Sequence, residues 1–208
     1  MGVAERRERE RKARRDTLLQ AARSVLLERG VRGTTTREIA DRCELSEATL
    51  FFYFKNKDEI LLSLIFESID FWGEGLDALA KQELQREQML DEIWRFHERV
   101  YREHPEYYVI STYLAQPYVL ENVSAEVKDE IAGRSGENFR KLSRLLAGAA
   151  GGAAARTMAD AIWSAFLGLT IMHASRKNLG HGEATLNRQS RAKVFEMLKS
   201  GLLRSDSR

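Results

Sequence analysis

Apolar residues recur at spacings of three and four along most of the chain, which is the period of an amphipathic α-helix. The first such run lies between Asp16 and Gly30. Its apolar members are Leu18, Leu19, Ala22, Val25 and Leu26. No long Val/Ile/Thr run alternates with period two, and the chain has only 2 prolines. The pattern therefore predicts an all-α protein.

Two short helices are predicted after the first run. Thr35 and Glu38 have the spacing of a capping box, in which the Thr oxygen accepts the Glu38 amide. A second cap candidate, Ser46, begins another helix after a connection of about three residues. This helix carries the row "LFFYF" and stops at Lys55 and Asn56. Successive helical residues turn by about 100°, so the rings of the row cannot all face one core.

The later helices are longer. Asn56 is a plausible cap for the first of them, and Pro105 and Pro117 mark two of the ends. The predicted ranges are 57–72, 84–104, 106–115, 123–147 with a possible break at Gly133 or Gly136, 154–177 and 186–204.

The composition indicates a globular protein with a substantial core, because 43% of its 208 residues are hydrophobic. It contains no run of 18 apolar residues, and no apolar segment follows the charged N-terminus, so we expect neither a membrane span nor a secretory signal. One cysteine is consistent with a reducing compartment. These features predict a cytoplasmic location.

The net charge of +2 is unevenly distributed. Acidic residues are outnumbered near the N-terminus by Arg6, Arg7, Arg9, Arg11, Lys12, Arg14 and Arg15. Such a basic arm suits a polyanionic partner, and we hypothesise that it contacts phosphates. The alternative is a solvated helix start with interspersed salt bridges.

A capped second helix, a tight turn and a short third helix form the layout of a helix-turn-helix unit. Leu50 and Phe54 are predicted to help fill its small core. From Ser46 to Thr49 the third helix begins with mostly short side chains, so its backbone could approach base edges in a major groove.

The segment "TTTREIADRCELSEATLFFYFKNKDEIL" resembles the DNA-binding motif of the TetR family of bacterial transcriptional regulators. Spacing and residue type agree over roughly residues 15–62. The matching positions are Thr35, Ile39, Ala40, Leu45, Ser46, Leu50, Tyr53, Phe54 and Lys57.

The resemblance implies a homodimeric repressor that binds operator DNA and responds to a small-molecule effector. It divides the chain into a DNA-binding domain with its basic arm, 1–56, and an effector-binding and dimerisation domain, 57–208. The implied DNA-binding residues are Thr35, Thr36 and Arg37 at the groove edge, Ser46, Glu47, Ala48 and Thr49 toward bases, and Phe51, Tyr53 and Lys57 toward phosphates.

Two positions depart from the family pattern. Glu44 occupies the turn where the family usually has Gly, and a non-Gly residue at positive φ costs about 1–2 kcal/mol. Phe51 replaces the usual Tyr and so lacks a hydroxyl that would reach the DNA backbone. We predict that Phe51→Tyr tightens binding if this ring faces a phosphate.

Aromatic residues are frequent in the larger domain. We predict an effector pocket that suits a mostly apolar or aromatic molecule. Its lining is predicted to consist of Phe66, Trp72, Trp94, His97, Tyr101, Tyr108, Tyr113 and Trp163. The alternative is that these rings only fill the core. His97 and His104 lie seven residues apart without an evident third ligand, so we expect no metal site. Cys43 is expected to pack inward rather than act as a redox switch.

The last two helices carry surplus apolar faces that could form a symmetric dimer contact. The residues assigned to this contact are Ile162, Phe166, Phe195, Leu198 and Leu202. Packing within the protomer is the alternative. Two other functions stay open: a helical protein-interaction module without DNA binding, and an enzyme using the aromatic pocket. No nucleophile–base arrangement or phosphate loop supports the enzyme, so we expect neither catalytic residues nor a cofactor.

Overall fold

The computed structural model describes residues 2–114, 123–147, 152–180 and 188–204. Within these ranges the regular structure is entirely α-helical, as the hydrophobic period predicted. The helices are α1 Val3–Gly33, α2 Thr36–Arg42, α3 Glu47–Leu50, α4 Lys57–Ala80, α5 Arg86–Glu103, α6 Pro105–Tyr113, α7 Ala125–Ala147, α8 Gly152–Asn178 and α9 Arg188–Arg204.

The chain folds into two compact units. The first comprises Met1–Ser68 and Pro105–Val123, and the second comprises Ile69–His104 and Ser124–Arg208. Helix α4 contributes residues to both units, and α6 belongs to the first. These units do not follow the predicted functional boundary after residue 56, which stays a prediction.

Helix α1 begins at Val3, well before the predicted start near Asp16. Its first residues are exposed and charged, so hydrophobic periodicity could not reveal them. Local contacts support this part of the helix. The Gly2 amide donates to a Glu5 carboxylate oxygen at 3.0 Å, and Arg6 pairs with Glu10 one turn further on, at 3.5 Å. The basic segment is therefore a helical extension of α1.

Gly30 interrupts the regular part of α1, as predicted, with φ of 65°. Left-handed backbone of this kind is readily adopted by glycine because it lacks a Cβ. The first unit buries its apolar stripe completely, with Leu18, Ala22 and Val25 each 0% exposed. Helices α2 and α6 both pack against α1.

Helix α4 continues to Ala80, eight residues past its predicted end at Trp72. The added part contains Gly73 and Gly75, each of which disfavours helix by about 1 kcal/mol relative to alanine. Packing explains why glycine occurs here, since a Cβ at Gly75 would collide with the ring of Phe96.

The second unit is held together by α7, which packs most extensively against α8. Polar contacts also join α7 to the second half of α4. The Asn138 amide donates to the Ile69 carbonyl at 2.7 Å, the Lys141 ammonium lies 2.6 Å from Asp77, and Arg134 pairs with Asp70. Helix α7 runs without the break predicted at Gly133 or Gly136.

Candidate nucleic-acid interface

Both predicted helix caps in the helix-turn-helix segment are present. The Thr35 hydroxyl accepts the Glu38 amide at 3.1 Å, and the Ser46 hydroxyl accepts the Thr49 amide at 3.1 Å. The Glu38 carboxylate forms an ion pair with Arg29 at 2.9 Å, which ties α2 to α1. The caps fix where α2 and α3 begin, because each satisfies an amide that has no partner inside its helix.

The turn between α2 and α3 contains the strained position that the sequence predicted. Glu44 has φ of 55°, and no other non-glycine residue in the described parts of the chain has positive φ. A side chain there costs about 1–2 kcal/mol relative to right-handed backbone. Glu44 therefore adopts the backbone conformation of this turn, which glycine would adopt at lower cost.

The ten residues predicted to bind DNA all lie at the surface of the first unit. Partly exposed are Thr36, Thr49, Tyr53 and Lys57. Fully exposed are Thr35, Arg37, Ser46, Glu47, Ala48 and Phe51. None of the ten is needed to fill the core, so each is available to a partner.

A side-chain hydrogen bond joins the start of α2 to the start of α3. The Thr36 hydroxyl donates to the Glu47 carboxylate. This contact limits the positions that Glu47 can adopt, although its other oxygen can still accept a hydrogen bond. Side chains from both helices therefore form one surface, as a helix-turn-helix requires.

The aromatic row divides between core and solvent as predicted, but not along a continuous helix. Helix α3 ends at Leu50, and hydrogen bonds from the Phe52 amide to Thr49 and the Tyr53 amide to Leu50 form a tighter final turn. Leu50 and Phe54 are 0% and 1% exposed, and fill the small core. Phe51 and Phe52 are 47% and 81% exposed, which are large values for phenylalanine.

Arg15 has a different role from the rest of the basic arm. Its guanidinium donates to the Tyr53 carbonyl at 3.3 Å and to the Ser63 hydroxyl at 2.8 Å. It also lies 4.2 Å from the centre of the Phe54 ring. These contacts fasten the turn after α3 to α1, so Arg15 positions the interface. Its spacing of three from Leu18, on the buried stripe, was the signal that could have revealed this role.

Lys57 also makes a contact within the first unit. Its ammonium donates to the Val31 carbonyl at 3.1 Å, near the end of α1. An ammonium carries three donors, so this bond leaves two for another acceptor such as a phosphate. Phosphate binding by Lys57 stays a prediction.

An open groove of about 540 Å³ runs between the N-terminal part of α1 and the turn after α3. Its lining consists of Arg7, Glu10, Arg11, Arg14, Phe52 and Tyr53. The sequence predicted the basic arm but not that one of its faces would lie beside the exposed aromatic residues.

The second unit contains an aromatic cluster. The Trp72 ring lies 4.7 Å from His97 and 5.2 Å from Trp163 between centroids. Trp94 lies 5.0 Å from Phe166 and 4.8 Å from Phe195. The structure thus brings together four of the residues predicted to bind an effector, and Tyr101 joins them through Phe166 at 6.4 Å.

The other three predicted effector residues, Phe66, Tyr108 and Tyr113, belong to the first unit. Tyr108 is only 1% exposed, and this burial raises the pKa of its hydroxyl. Close packing of these aromatic residues fits both readings of the sequence, a pocket lining and a filled core. Their role in effector binding stays a prediction.

His97 is buried in the aromatic cluster, where it is 1% exposed. Burial lowers its pKa from 6.5 to about 3, because a charged imidazolium would lose its hydration there. The side chain is therefore neutral at physiological pH.

A small cavity of about 10 Å³ adjoins this cluster, enough for one water molecule. It lies between α5, α8 and α9, and its lining includes Tyr101, Thr170, His173 and Arg191. The Arg191 guanidinium stands 5.5 Å from the centre of the Tyr101 ring and 3.7 Å from the Glu98 carboxylate.

Cys43 is only partly buried, so its predicted inward packing is incomplete. Its thiol lies 3.8 Å from the Thr17 carbonyl, and burial raises its pKa. A raised pKa disfavours the reactive thiolate. Among the described residues, no three His, Cys, Asp or Glu side chains are placed to hold a metal ion.

The assignment of Ile162 and Phe166 to a dimer contact stays a prediction. They are 2% and 1% exposed in the isolated protomer, where Phe166 packs on Trp94, and this burial favours the alternative of packing within the protomer. Phe195 and Leu198 are partly exposed, and the side chain of Leu202 lies outside the described residues.

The described side chains of α8 and α9 include three large apolar residues that are exposed. These are Ile171, Met172 and Met197, at 44%, 48% and 67%.

The fold and the surface of the first unit define the class of protein: an all-α protein with a helix-turn-helix. No helix in the described ranges is long and apolar enough to span a membrane.

The helix-turn-helix segment is similar to known regulatory proteins. Residues 18–64 match the sequence profile of bacterial regulatory proteins of the tetR family. The chain is 46% identical over 60 residues to the uncharacterised HTH-type transcriptional regulator YvkB of Bacillus subtilis, covering 29% of this chain and 32% of that protein. It is 34% identical over 59 residues to the HTH-type transcriptional repressor KstR2 of Mycolicibacterium smegmatis, covering 28% and 29% of the two chains. Residues 18–64 are thus similar to the DNA-binding domain of TetR-family regulators.

Solved structures of the family share the overall fold. The ketosteroid transcriptional regulator KstR2 of Mycobacterium tuberculosis aligns with a TM-score of 0.68 at 17% identity, over 90% of this chain and 94% of that one. FadR of Bacillus subtilis, solved in complex with stearoyl-CoA, aligns with a TM-score of 0.63 at 19% identity, over 89% and 97%. The sequence matches thus span about a third of the curated relatives, whereas the structural likeness extends over nearly the whole chain and concerns the fold.

Proposed function

We propose that this protein is a sequence-specific DNA-binding transcriptional regulator, a homodimeric repressor that a small, mostly apolar effector releases from its operator. The observation that carries the proposal is the surface formed by α2, α3 and the following turn. Its ten predicted contact residues are all accessible, and the Thr35 and Ser46 caps fix the starts of the two helices that carry most of them.

In this proposal α3 enters the major groove. The small side chain of Ala48 lets the helix approach the base edges closely. The Thr36 hydroxyl holds the Glu47 carboxylate in place. This carboxylate would accept a hydrogen bond from a cytosine amino group. Such a donor would offset the repulsion between the carboxylate and the DNA phosphates. Arg37, Tyr53 and Lys57 would contact phosphates and set the register of the protein on the duplex.

The dimer would be formed through α8 and α9. Their exposed apolar residues Ile171, Met172 and Met197 would contribute to the contact, beside the partly exposed Phe195 and Leu198. A two-fold dimer presents two reading heads, and these match operator half-sites about 34–36 Å apart or a multiple of that distance.

The effector would bind among the aromatic residues of the second unit. The names of two relatives support an apolar ligand, since one concerns ketosteroids and another was solved with stearoyl-CoA. The effector would release DNA by binding more tightly to a conformation in which the two reading heads no longer fit the operator.

The DNA-binding part is tested by fluorescence anisotropy with the full chain and the DNA upstream of its own gene, at two salt concentrations. A shuffled duplex of the same length measures non-specific binding. We expect the upstream DNA to bind at least about a thousandfold more tightly. Equal affinity for both duplexes would reject sequence-specific regulation.

A matched pair of variants locates the interface. Ala48→Glu places a bulky acid on α3 and should weaken specific binding at least tenfold through repulsion from the DNA. Ala78→Glu makes the same change at an exposed position of α4 in the second unit and should leave binding unchanged. Equal effects of the two substitutions would mean that α3 is not the reading helix.

The effector part is tested with stearoyl-CoA and a ketosteroid, with coenzyme A as the control lacking an acyl chain. A ligand that binds the folded protein should raise its melting temperature. The same ligand should lower operator affinity. A rise in melting temperature with unchanged operator affinity would reject release by that ligand.

A further inference from the structure

We propose that one face of the N-terminal extension of α1, together with Phe52, binds the sugar-phosphate backbone of duplex DNA outside the base pairs that α3 reads. This inference rests on the proposed function, since it assumes that α3 occupies a major groove. It adds a second contact region, which lengthens the DNA segment that each protomer covers.

The first step is the geometry of the extension. Because α1 is helical from Val3, Arg7, Arg11 and Arg14 follow each other at spacings of four and three and so share one face. All three are exposed and line the open groove described above. A flexible arm would distribute these charges in all directions, whereas the helix aligns them over about two turns.

The second step is charge. Three arginines and Glu10 give the groove lining a formal net charge of about +2. Glu10 is itself compensated, because Arg6 lies 3.5 Å away one turn earlier. A line of guanidinium groups is suited to phosphate oxygens, which accept their paired donors.

The third step is the opposite wall. The aromatic residues of this wall are Phe52 and Tyr53, and Phe52 is 81% exposed beside the arginines that line the groove. Phosphates alone would not favour an exposed Phe, but the apolar face of a deoxyribose would, and phosphates and sugars alternate along a DNA strand.

The fourth step is rigidity. Arg15 bonds the Tyr53 carbonyl and Ser63 and packs on Phe54, which fastens the turn that carries Phe52 to α1. The two walls of the groove therefore hold a fixed separation before any ligand binds. Preorganised walls reduce the entropy lost on binding.

The experiment compares two charge-matched double variants of the full-length chain. Arg7→Ala with Arg11→Ala removes two charges from the groove face. Arg9→Ala with Lys12→Ala removes two charges from the opposite side of the same exposed helix segment. Binding to the upstream DNA is followed by anisotropy from about 50 to 200 mM salt.

We expect the groove variant to lower the slope of log K against log salt by about 1.8 per bound protomer, two phosphate contacts at about 0.9 each. The opposite-face variant should change the slope by less than half as much. Equal slope changes would overturn the inference, because they would reflect overall charge rather than a site. Wild-type protein that does not distinguish upstream from shuffled DNA would instead reject the proposed function.

Duplex length provides an independent readout. Wild-type affinity should fall when the flanks of the protected segment are trimmed, and the groove variant should not respond to trimming. Phe52→Ala should reproduce part of this loss of length dependence without altering the salt slope, because it removes a sugar contact and no charge. A wild-type protein indifferent to flank length would also overturn the inference.

Discussion

The two units of this protein use their aromatic residues in opposite ways. In the first unit, part of an aromatic row is turned outward beside arginines, and Phe52 is 81% exposed. In the second unit the rings of Trp72, Trp94 and His97 are 7%, 4% and 1% exposed and pack on one another. Exposed rings stay in contact with water and contribute no burial to the fold, so they are candidates for contact with a partner, whereas buried rings already stabilise the fold.

This difference determines how far single residues can be assigned a role. The exposed side chains of the DNA-binding surface do not fill the core, so a functional role is the simpler explanation for them. Each buried ring of the second unit can either line an effector pocket or fill the core, and burial is expected in both cases. The contrast between exposed and buried rings can be tested by substitution.

The largest effect on stability is expected at one of two nearby phenylalanines of the aromatic row. Phe54→Ala should lower the free energy of unfolding by about 3–5 kcal/mol, because it empties the small core and removes the ring that Arg15 covers. Phe52→Ala, two residues earlier, should change stability by less than about 0.5 kcal/mol. Chemical denaturation at one fixed protein concentration measures both. Similar losses would mean that the row is packed throughout and that the contrast is false.

The second effect concerns the buried imidazole. His97 is neutral when folded, with its pKa lowered to about 3 by burial, while the unfolded chain takes up a proton below pH 6.5. The unfolded state therefore binds more protons, and this contribution to stability is complete above pH 6.5 and falls as the pH drops toward about 3. The loss at pH 5 is about 2 kcal/mol.

Comparing unfolding at pH 7.5 and pH 5 tests this value. His97→Phe should lose about 2 kcal/mol less than wild type over that interval, because it has no proton to bind. His173→Phe, at a partly exposed position, serves as the control and should retain the wild-type loss. An unchanged pH response in His97→Phe would show that the imidazole is not held neutral by the cluster.

Much of the first unit followed from the sequence, because short-range chemistry determines it. The caps at Thr35 and Ser46 and the burial of Leu50 and Phe54 all depend on neighbours within a few residues or on helical period. The early start of α1 at Val3 could not be predicted from hydrophobic period, because its exposed, charged residues form no apolar stripe.

Less of the second unit followed from the sequence, because long-range packing decides it. Ile162 and Phe166 lie on one apolar stripe of α8, and only the three-dimensional arrangement shows that both are buried within the protomer and that Trp94 packs on Phe166. Likewise, the sequence predicted that α4 ends at Trp72, and only the structure shows Gly75 inside this helix, where the ring of Phe96 leaves no room for a Cβ. The charge of Arg15 suggests a member of the basic arm, whereas its spacing of three residues from the buried Leu18 indicates that it faces the first unit.

A smaller effect is expected at the strained turn. Glu44→Gly should stabilise the protein by about 0.5–1 kcal/mol, since glycine avoids the steric cost of φ near 55° but adds entropy to the unfolded chain. Glu44→Ala removes the same charge and keeps the strain, so it should give no such gain. Thermal and chemical unfolding measure both variants. If the alanine variant gained as much, charge rather than backbone strain would be responsible.

The smallest effect is expected from a single hydroxyl at the interface. Phe51 is 47% exposed, so Phe51→Tyr can be accommodated without disturbing the core. A new hydrogen bond to a phosphate contributes about 0.5–1.5 kcal/mol, so operator affinity should rise about two- to tenfold, and equally for shuffled DNA because phosphate contacts carry no sequence information. Tyr53→Phe is the converse control and should weaken both complexes by a similar factor. A tighter operator complex with unchanged shuffled-DNA binding would place Phe51 against a base. Unchanged or weaker binding to both duplexes would turn this ring away from the phosphates, leaving Phe52 as the aromatic residue that faces the DNA backbone.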